Sequence, residues 1–293
     1  VSYVNPEARP KVTVPAVRGR KRRAGAEALV MVTAYDEPSA RLADEAGVDL
    51  LLVGDSLANV VLGHADTLHV DTAVMAHHVA AAAAARPRAL LVGDMPWLSY
   101  HVSPEDTVRN AAALVRAGAE AVKLEGGRAR LGAIEAIVAA EIPVMGHLGL
   151  TPQSVLAMGG FRVQAKSADA AQVLLSAAKA IAAAGCFAIV LEGVPDVVAE
   201  AVTQAIDVPT IGIGAGPDCD GQVLVFHDLL GLGSRTPPKF VRAYADLGRQ
   251  ATEAIGAYAA DVRAGRFPAE AETYHAPDPE GVRHALEGPP RAS

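Results

Sequence analysis

Short runs rich in Val, Ile and Leu alternate along this chain with longer Ala-rich stretches of helical period. Strands joined through helices pair in parallel, because the helix returns the chain to the starting end of the sheet. The runs fall at about Leu29–Thr33, Asp49–Val53, Ala89–Gly93, Ala121–Leu124, Ile142–Gly146, Phe187–Leu191, Pro209–Ile213 and Gln222–Phe226. Eight parallel strands close a cylinder that side chains can fill, so the expected fold is α/β, a single (β/α)8 TIM barrel of roughly 250 residues. Of the 293 residues, 51% are hydrophobic but only 4% are aromatic, which suits a parallel sheet wrapped by small-residue helices.

Helical period places helices at Pro38–Glu45, Ala73–Ala85, Pro104–Arg116, Arg128–Ala139, Ala168–Ala184, Val194–Ile206 and Lys239–Ala264. Ser103-Pro104-Glu105-Asp106 offers an N-cap, a proline at the first helical position and acids in the first turn. Gly47, Gly118 and Gly185 each follow an alanine at a helix end, where a left-handed residue is expected. Each also opens a segment that runs glycine, apolar strand, acid, and ends at Asp55, Glu125 or Glu192. Ordinary likeness between αβ units accounts for this without gene duplication. The domain reading is an arm over 1–27, a catalytic barrel over 28–267, and a Pro-, Gly- and charge-rich tail over 268–293 expected to be poorly ordered.

A net charge of −7 leaves no overall basic footprint for nucleic acid. Arg18, Arg20, Lys21, Arg22 and Arg23 form a local basic cluster, read as a solvated loop or, more sharply, as a patch for phosphate or polyglutamate. The two cysteines, Cys186 and Cys219, form no CxxC pair and no secreted disulfide framework. Cys186 reads as a small core residue. No strongly apolar stretch is long enough for a membrane span, and the N-terminus lacks a signal peptide's apolar core. The expected compartment is the cytoplasm.

In a parallel barrel the side chains that do chemistry sit at the carboxyl ends of the strands. Those positions hold Tyr35-Asp36, Asp55-Ser56, Asp94, Lys123 with Glu125, His147, Glu192, Gly214 with Gly216, and His227-Asp228. Buried carboxylates are costly unless paired or metal-bound, so this many at one mouth call for a role beyond stability. Asp55, Asp94 and Glu125 follow neighbouring strands, and hard oxygens there suit Mg²⁺. Taken singly, each acid reads equally well as a helix cap. Lys123 and Glu125 share the inward face; the lysine can bind a carboxylate, form a Schiff base or pair with an acid. Glu192 lies across the barrel from the metal acids. In a largely apolar wall its pKa would rise and it could act as a general base; a helix cap ahead of Pro195 is the plainer reading. Gly212-Ile213-Gly214-Ala215-Gly216 reads as a tight turn with close backbone approach, and only weakly as a phosphate cradle.

Several longer motifs are more specific: Met31-Val32-Thr33-Ala34-Tyr35-Asp36, Val53-Gly54-Asp55-Ser56-Leu57, Asp94-Met95-Pro96, Val122-Lys123-Leu124-Glu125-Gly126-Gly127, Pro143 through Ser154, and Gly212 through Val223. Across about Lys11 to Phe267 the chain resembles the ketopantoate hydroxymethyltransferase family of the phosphoenolpyruvate/pyruvate-type barrels. The resemblance implies Asp55, Asp94 and Glu125 as metal-site carboxylates, and Asp55, Ser56, Asp94 and Lys123 as contacts to a 2-oxo acid. It implies Glu192 as base and His147 as the active-site histidine. It also implies Mg²⁺, 5,10-methylenetetrahydrofolate as co-substrate, 3-methyl-2-oxobutanoate as acceptor, 2-dehydropantoate as product, and a decamer of stacked pentamers. The chain departs from the family pattern at Glu37, Leu98, Ala165 and Gly193. Competing readings are a metal-dependent 2-oxo acid aldolase, lyase or mutase without folate, and a non-catalytic barrel subunit.

Overall fold

The protein is described here by a computed structural model covering residues 10–21, 27–160, 162–233 and 237–287. Arg22 and Arg23, with most of the expected arm, lie outside the described residues. Eight strands, β1 Leu29–Thr33, β2 Leu50–Val53, β3 Leu90–Asp94, β4 Ala121–Glu125, β5 Val144–Gly149, β6 Ala188–Glu192, β7 Thr210–Ile213 and β8 Gly221–Leu224, close a barrel in sequence order. Every pairing is parallel, including β1 with β8. The (β/α)8 expectation holds.

Alternation along each strand sorts side chains between two cores. Leu50 and Leu52 of β2, Leu90 and Val92 of β3, Ala121 of β4, Met145 of β5 and Val190 of β6 point into the barrel. Leu51, Val53, Leu91, Val122, Leu124, Val144 and Ile189 point outward against the helices. The inward set, extended by the same two-residue step, reaches Asp94, Lys123, Glu125, His147 and Glu192 at the carboxyl ends. The pleat that fills the barrel therefore also aims these polar side chains into its mouth.

The helix caps follow the expected chemistry. Ser103 Oγ accepts from the Asp106 N–H at 3.1 Å at the start of the helix Pro104–Arg116. Gly47, Gly118 and Gly185 all hold positive φ. β5 runs on to Gly149, beyond its expected end. There φ is 94°, and an added Cβ would stand 2.2 Å from the Glu192 carbonyl oxygen, so only glycine permits the close β5–β6 approach. Leu98 and Ala165, two of the departures from the family pattern, adopt φ of 68° and 54°.

Three expectations change. β8 stops at Leu224, and His227 and Asp228 lie in the short helix Phe226–Leu230 instead of ending the strand. The Phe226 N–H is captured by Thr33 Oγ1 at 2.8 Å, which turns the chain off the sheet. The helix expected from Lys239 starts only at Leu247, after an Asp246 cap. The described part of the basic cluster is not a solvated loop: Lys21 Nζ lies 2.8 Å from the buried Asp220, and Arg20 lies 3.4 Å from Asp49. Ahead of it, the helix Val14–Arg18 puts Val17 into the barrel's inner core beside Leu29 and Met31.

The chain divides into two compact units, Val1–Ala245 and Asp246–Ser293. The second unit holds the helix Leu247–Arg263, which buries none of its residues, and Tyr258 packs its ring on Phe267 at 5.3 Å. Pro279–Glu287 forms a helix within the segment expected to be poorly ordered. No described helix is long and apolar enough to cross a membrane.

Candidate active site

One cavity of about 1180 Å³ opens at the carboxyl ends of the strands, and Asp55, Ser56, Asp94, Lys123, Glu125, His147 and Glu192 all line it. Gly214, Gly216 and Asp228 also reach its wall, whereas Asp36 is spent as the cap of the helix Glu37–Glu45, bonded to Ser39. Gly214 and Gly216 leave room for close neighbours: an added Cβ would meet Phe240 at 2.7 Å and Asp196 at 2.6 Å respectively. That is the tight-turn reading of this glycine run.

The charged groups form a continuous chain. Lys123 Nζ lies 2.9 Å from Asp94 Oδ1 and 3.4 Å from His147 Nδ1. His147 Nδ1 lies 3.4 Å from Glu125 Oε1, and its Nε2 lies 3.2 Å from Glu192 Oε2. Burial and the Lys123 charge oppose protonation of His147, but Glu125 and Glu192 outweigh them and raise its pKa to about 9. Burial likewise opposes the Lys123 charge, yet Asp94, Glu125 and Asp55 hold that ammonium above its ordinary value. Glu192 was expected in a largely apolar wall. It stands instead against the His147 ring, with a side chain 17% exposed.

The three acids expected to bind metal behave differently from one another. Asp55 is held well above the usual carboxylate range by burial and by the charges of Asp94 and Glu125. Asp94 is raised by burial, although Lys123 pulls it down. Glu125 ends below its ordinary value, because His147, Lys123 and a Gln153 N–H together overcome its burial. All three line one cavity, but no group of three His, Cys, Asp or Glu side chains among the described residues is poised to hold an ion as it stands. The expected three-carboxylate cage is not preformed, because Glu125 is committed to His147 and Gln153. The arrangement still suits a hard divalent cation. The donors are carboxylate oxygens, and burial together with the charges of Asp94 and Glu125 raises Asp55, a cost that a bound cation would relieve. Mg²⁺ needs only one or two protein carboxylates beside water and substrate.

Sequence reasoning did not single out Gln153 or Tyr100. Gln153 Nε2 donates to Asp55 Oδ2 and to the Met95 carbonyl, both at 2.9 Å, and the Gln153 N–H donates to Glu125 Oε2 at 2.9 Å. The Tyr100 hydroxyl accepts from the Glu125 N–H at 3.2 Å and donates to Gln153 Oε1. Tyr35 was noted at the end of β1, but its link to the site was not: its hydroxyl lies 2.9 Å from Ser56 Oγ. Pro152, which starts the turn carrying Gln153, was the available signal, since a turn immediately beyond an active-site strand must aim its side chains somewhere near the mouth.

Comparison with known proteins agrees with this architecture. The ketopantoate hydroxymethyltransferase family pattern matches residues 11–270. A 3-methyl-2-oxobutanoate hydroxymethyltransferase of Methylobacterium sp. is 57% identical over 265 residues, covering 90% of this chain and 91% of the relative. One from Bradyrhizobium diazoefficiens is 53% identical over 276 residues, covering 94% and 93%. Among solved structures, 2,3-dimethylmalate lyase, of the PEP mutase/isocitrate lyase superfamily, aligns with a TM-score of 0.57 at 19% identity, over 95% of this chain and 98% of that one. A phosphonopyruvate hydrolase aligns with a TM-score of 0.56 at 15% identity, over 94% and 97%. These two share the barrel fold. With the family pattern spanning the barrel and more than half of the residues identical to two such relatives, the chain belongs to the ketopantoate hydroxymethyltransferase family.

Proposed function

We propose that the protein transfers a hydroxymethyl group from 5,10-methylenetetrahydrofolate to C3 of 3-methyl-2-oxobutanoate, giving 2-dehydropantoate, with Mg²⁺ at the site. The observation that carries this reading is the gathering of Asp55, Asp94, Lys123, Glu125, His147 and Glu192 around one cavity in a chain of this family. Asp55 and Asp94 would hold the cation, with Glu125 adding negative charge nearby. When bound, Mg²⁺ would act as a Lewis acid on the keto oxygen and make the C3 proton easier to remove.

The protein's own groups do the rest. Glu192, at the cavity wall, takes the C3 proton onto a carboxylate oxygen. His147, held between Glu125 through Nδ1 and Glu192 through Nε2, orients the base. Lys123 and Ser56 anchor the substrate carboxylate and fix the face of C3 presented to the one-carbon donor. The C3 electron pair then forms the new bond to the folate's methylene carbon. Over the turnover both carbon–nitrogen bonds of that methylene break and water supplies the hydroxyl oxygen. The C3 proton and the second water proton end on the two nitrogens, so that tetrahydrofolate leaves. The remaining cavity, out to Gly214, Asp228 and Phe240, is the space for the folate.

A Schiff-base aldolase is the alternative for Lys123. It is disfavoured by the ion pair with Asp94, because a lysine held as the ammonium has no lone pair with which to attack a carbonyl. Incubation with 3-methyl-2-oxobutanoate, methylenetetrahydrofolate and Mg²⁺ tests the assignment. Folate-dependent appearance of 2-dehydropantoate is expected; borohydride trapping of substrate on Lys123 without folate turnover would replace this reading with the aldolase. Two free, buried cysteines suit a reducing cytoplasm. The homodecamer implied by the family resemblance is checked by sedimentation.

A further inference from the structure

Gln153 engages two of the site's carboxylates, Asp55 and Glu125, yet it does not line the cavity. It is 5% exposed and sits in the turn Pro152–Ser154, just past β5. Its backbone N–H and side-chain amide together engage Glu125 from β4, Asp55 from the end of β2, and the Met95 carbonyl just after β3. Tyr100, also behind the wall, supplies the remaining contact at Oε1. Gln153 therefore ties the end of β4 and the loops after β2 and β3 to the turn after β5.

The amide orientation is dictated by its surroundings. Both groups facing Nε2, the Asp55 carboxylate and the Met95 carbonyl, are acceptors, so the amide must present its two N–H groups there. The Tyr100 oxygen already accepts the Glu125 N–H, which leaves its own proton for Gln153 Oε1. Reversing the amide would aim an oxygen at two acceptors inside a buried wall, where an unmade hydrogen bond is expensive. As built, the hydrogen bond occupies Asp55 Oδ2 and leaves Oδ1 for a ligand. On Glu125, Gln153 takes Oε2 while His147 faces Oε1.

We propose that Gln153 is a positioning residue for the cation site, and that Tyr100 sets the amide that does the positioning. By holding Asp55 Oδ2, Gln153 leaves Oδ1 for a divalent ion; by holding Glu125 Oε2, with His147 on Oε1, it keeps that carboxylate as a neighbouring charge. The idea rests on the metal reading given above. It goes further in assigning the selection of ligand atoms to a neutral side chain outside the cavity. Groups that orient metal ligands from behind typically change metal affinity by roughly 10- to 100-fold when removed.

The test is a Mn²⁺ titration of the full chain, without substrate, followed by electron paramagnetic resonance of the free ion. Gln153→Met keeps the length and the backbone N–H but removes the amide; it is expected to weaken Mn²⁺ binding by roughly 10- to 100-fold. Tyr100→Phe removes only the hydroxyl and is expected to weaken it by about three- to tenfold, the scale of one hydrogen bond. A purely structural glutamine would lower the melting temperature and leave the Mn²⁺ Kd of the folded protein unmoved. Wild type that binds Mn²⁺, with a folded Gln153→Met that binds equally tightly, overturns the positioning role and spares the metal reading. Wild type that fails to bind Mn²⁺ overturns both. If Gln153→Met does not fold, Tyr100→Phe decides, and an unchanged Kd there rejects the proposal.

Discussion

At the amino end of the barrel, Asp220 is fully buried and well supplied with partners. Its Oδ2 receives Lys21 Nζ at 2.8 Å, the Thr210 N–H at 2.7 Å and Thr210 Oγ1 at 3.2 Å. At the carboxyl end, Asp55, Asp94, Glu125 and Glu192 line a cavity where, among the described residues, two cations stand in ion-pair contact with them: Lys123 on Asp94, and His147 between Glu125 and Glu192. Both clusters are buried charge in the same barrel. The first has donors matched to its acid and closes the floor by tying the arm to β7 and β8. The second carries surplus negative charge, which folding does not need and a bound cation or substrate can use. A buried acid therefore points to chemistry when its neighbours leave negative charge uncompensated, as they do at Asp55.

The contrast can be broken by substitution. The largest effect is expected at the mouth. Glu192→Gln should slow turnover by roughly 10²- to 10⁴-fold, the usual worth of a general base, and abolish deuterium exchange at C3 while leaving the fold intact. Normal exchange in that variant would remove Glu192 as the base. Next comes the floor: Asp220→Ala should cost about 3 kcal/mol in denaturant unfolding, because it strands Lys21 and the Thr210 N–H, with kcat/KM of the folded enzyme unchanged. A large loss of activity with little loss of stability would erase the distinction between the two ends. Lys21→Met should cost less, about 1–2 kcal/mol, because Thr210 still supplies Asp220 with hydrogen bonds.

The smallest effect has the opposite sign. A carboxylate whose pKa is raised on folding is destabilised in its charged form at neutral pH, so neutralising it relieves the folded state. Asp55→Asn, measured by calorimetry without divalent cations, should raise stability at pH 7. Added Mg²⁺ should then stabilise wild type more than the variant. A fall in stability of the cation-free variant would show that the mouth is as well balanced as the floor.

Much of this was legible beforehand, for a local reason. Strand period, glycine after helix ends and the Ser103 cap are short-range signals, so the eight strands and the residues at their carboxyl ends could be read off the chain. The alternation that sends Ala121 inward also sends Lys123 and Glu125 inward. The end of β8 was misread because Thr33, far away in sequence, captures the Phe226 N–H. Lys21 reads as one of a run of cations, and nothing local reveals that it meets Asp220.

The sequence alone determined the barrel and the identity of the groups at its mouth, since both follow from periodicities within one strand or one helix. Tertiary structure decided which oxygens are taken and which are left. Gln153 reaches Asp55 across 98 residues of chain, and Glu192 meets His147 rather than an apolar wall. Hydrogen bonds have a reach of about 3 Å and a required direction, and such a constraint is met only when separate loops are brought face to face.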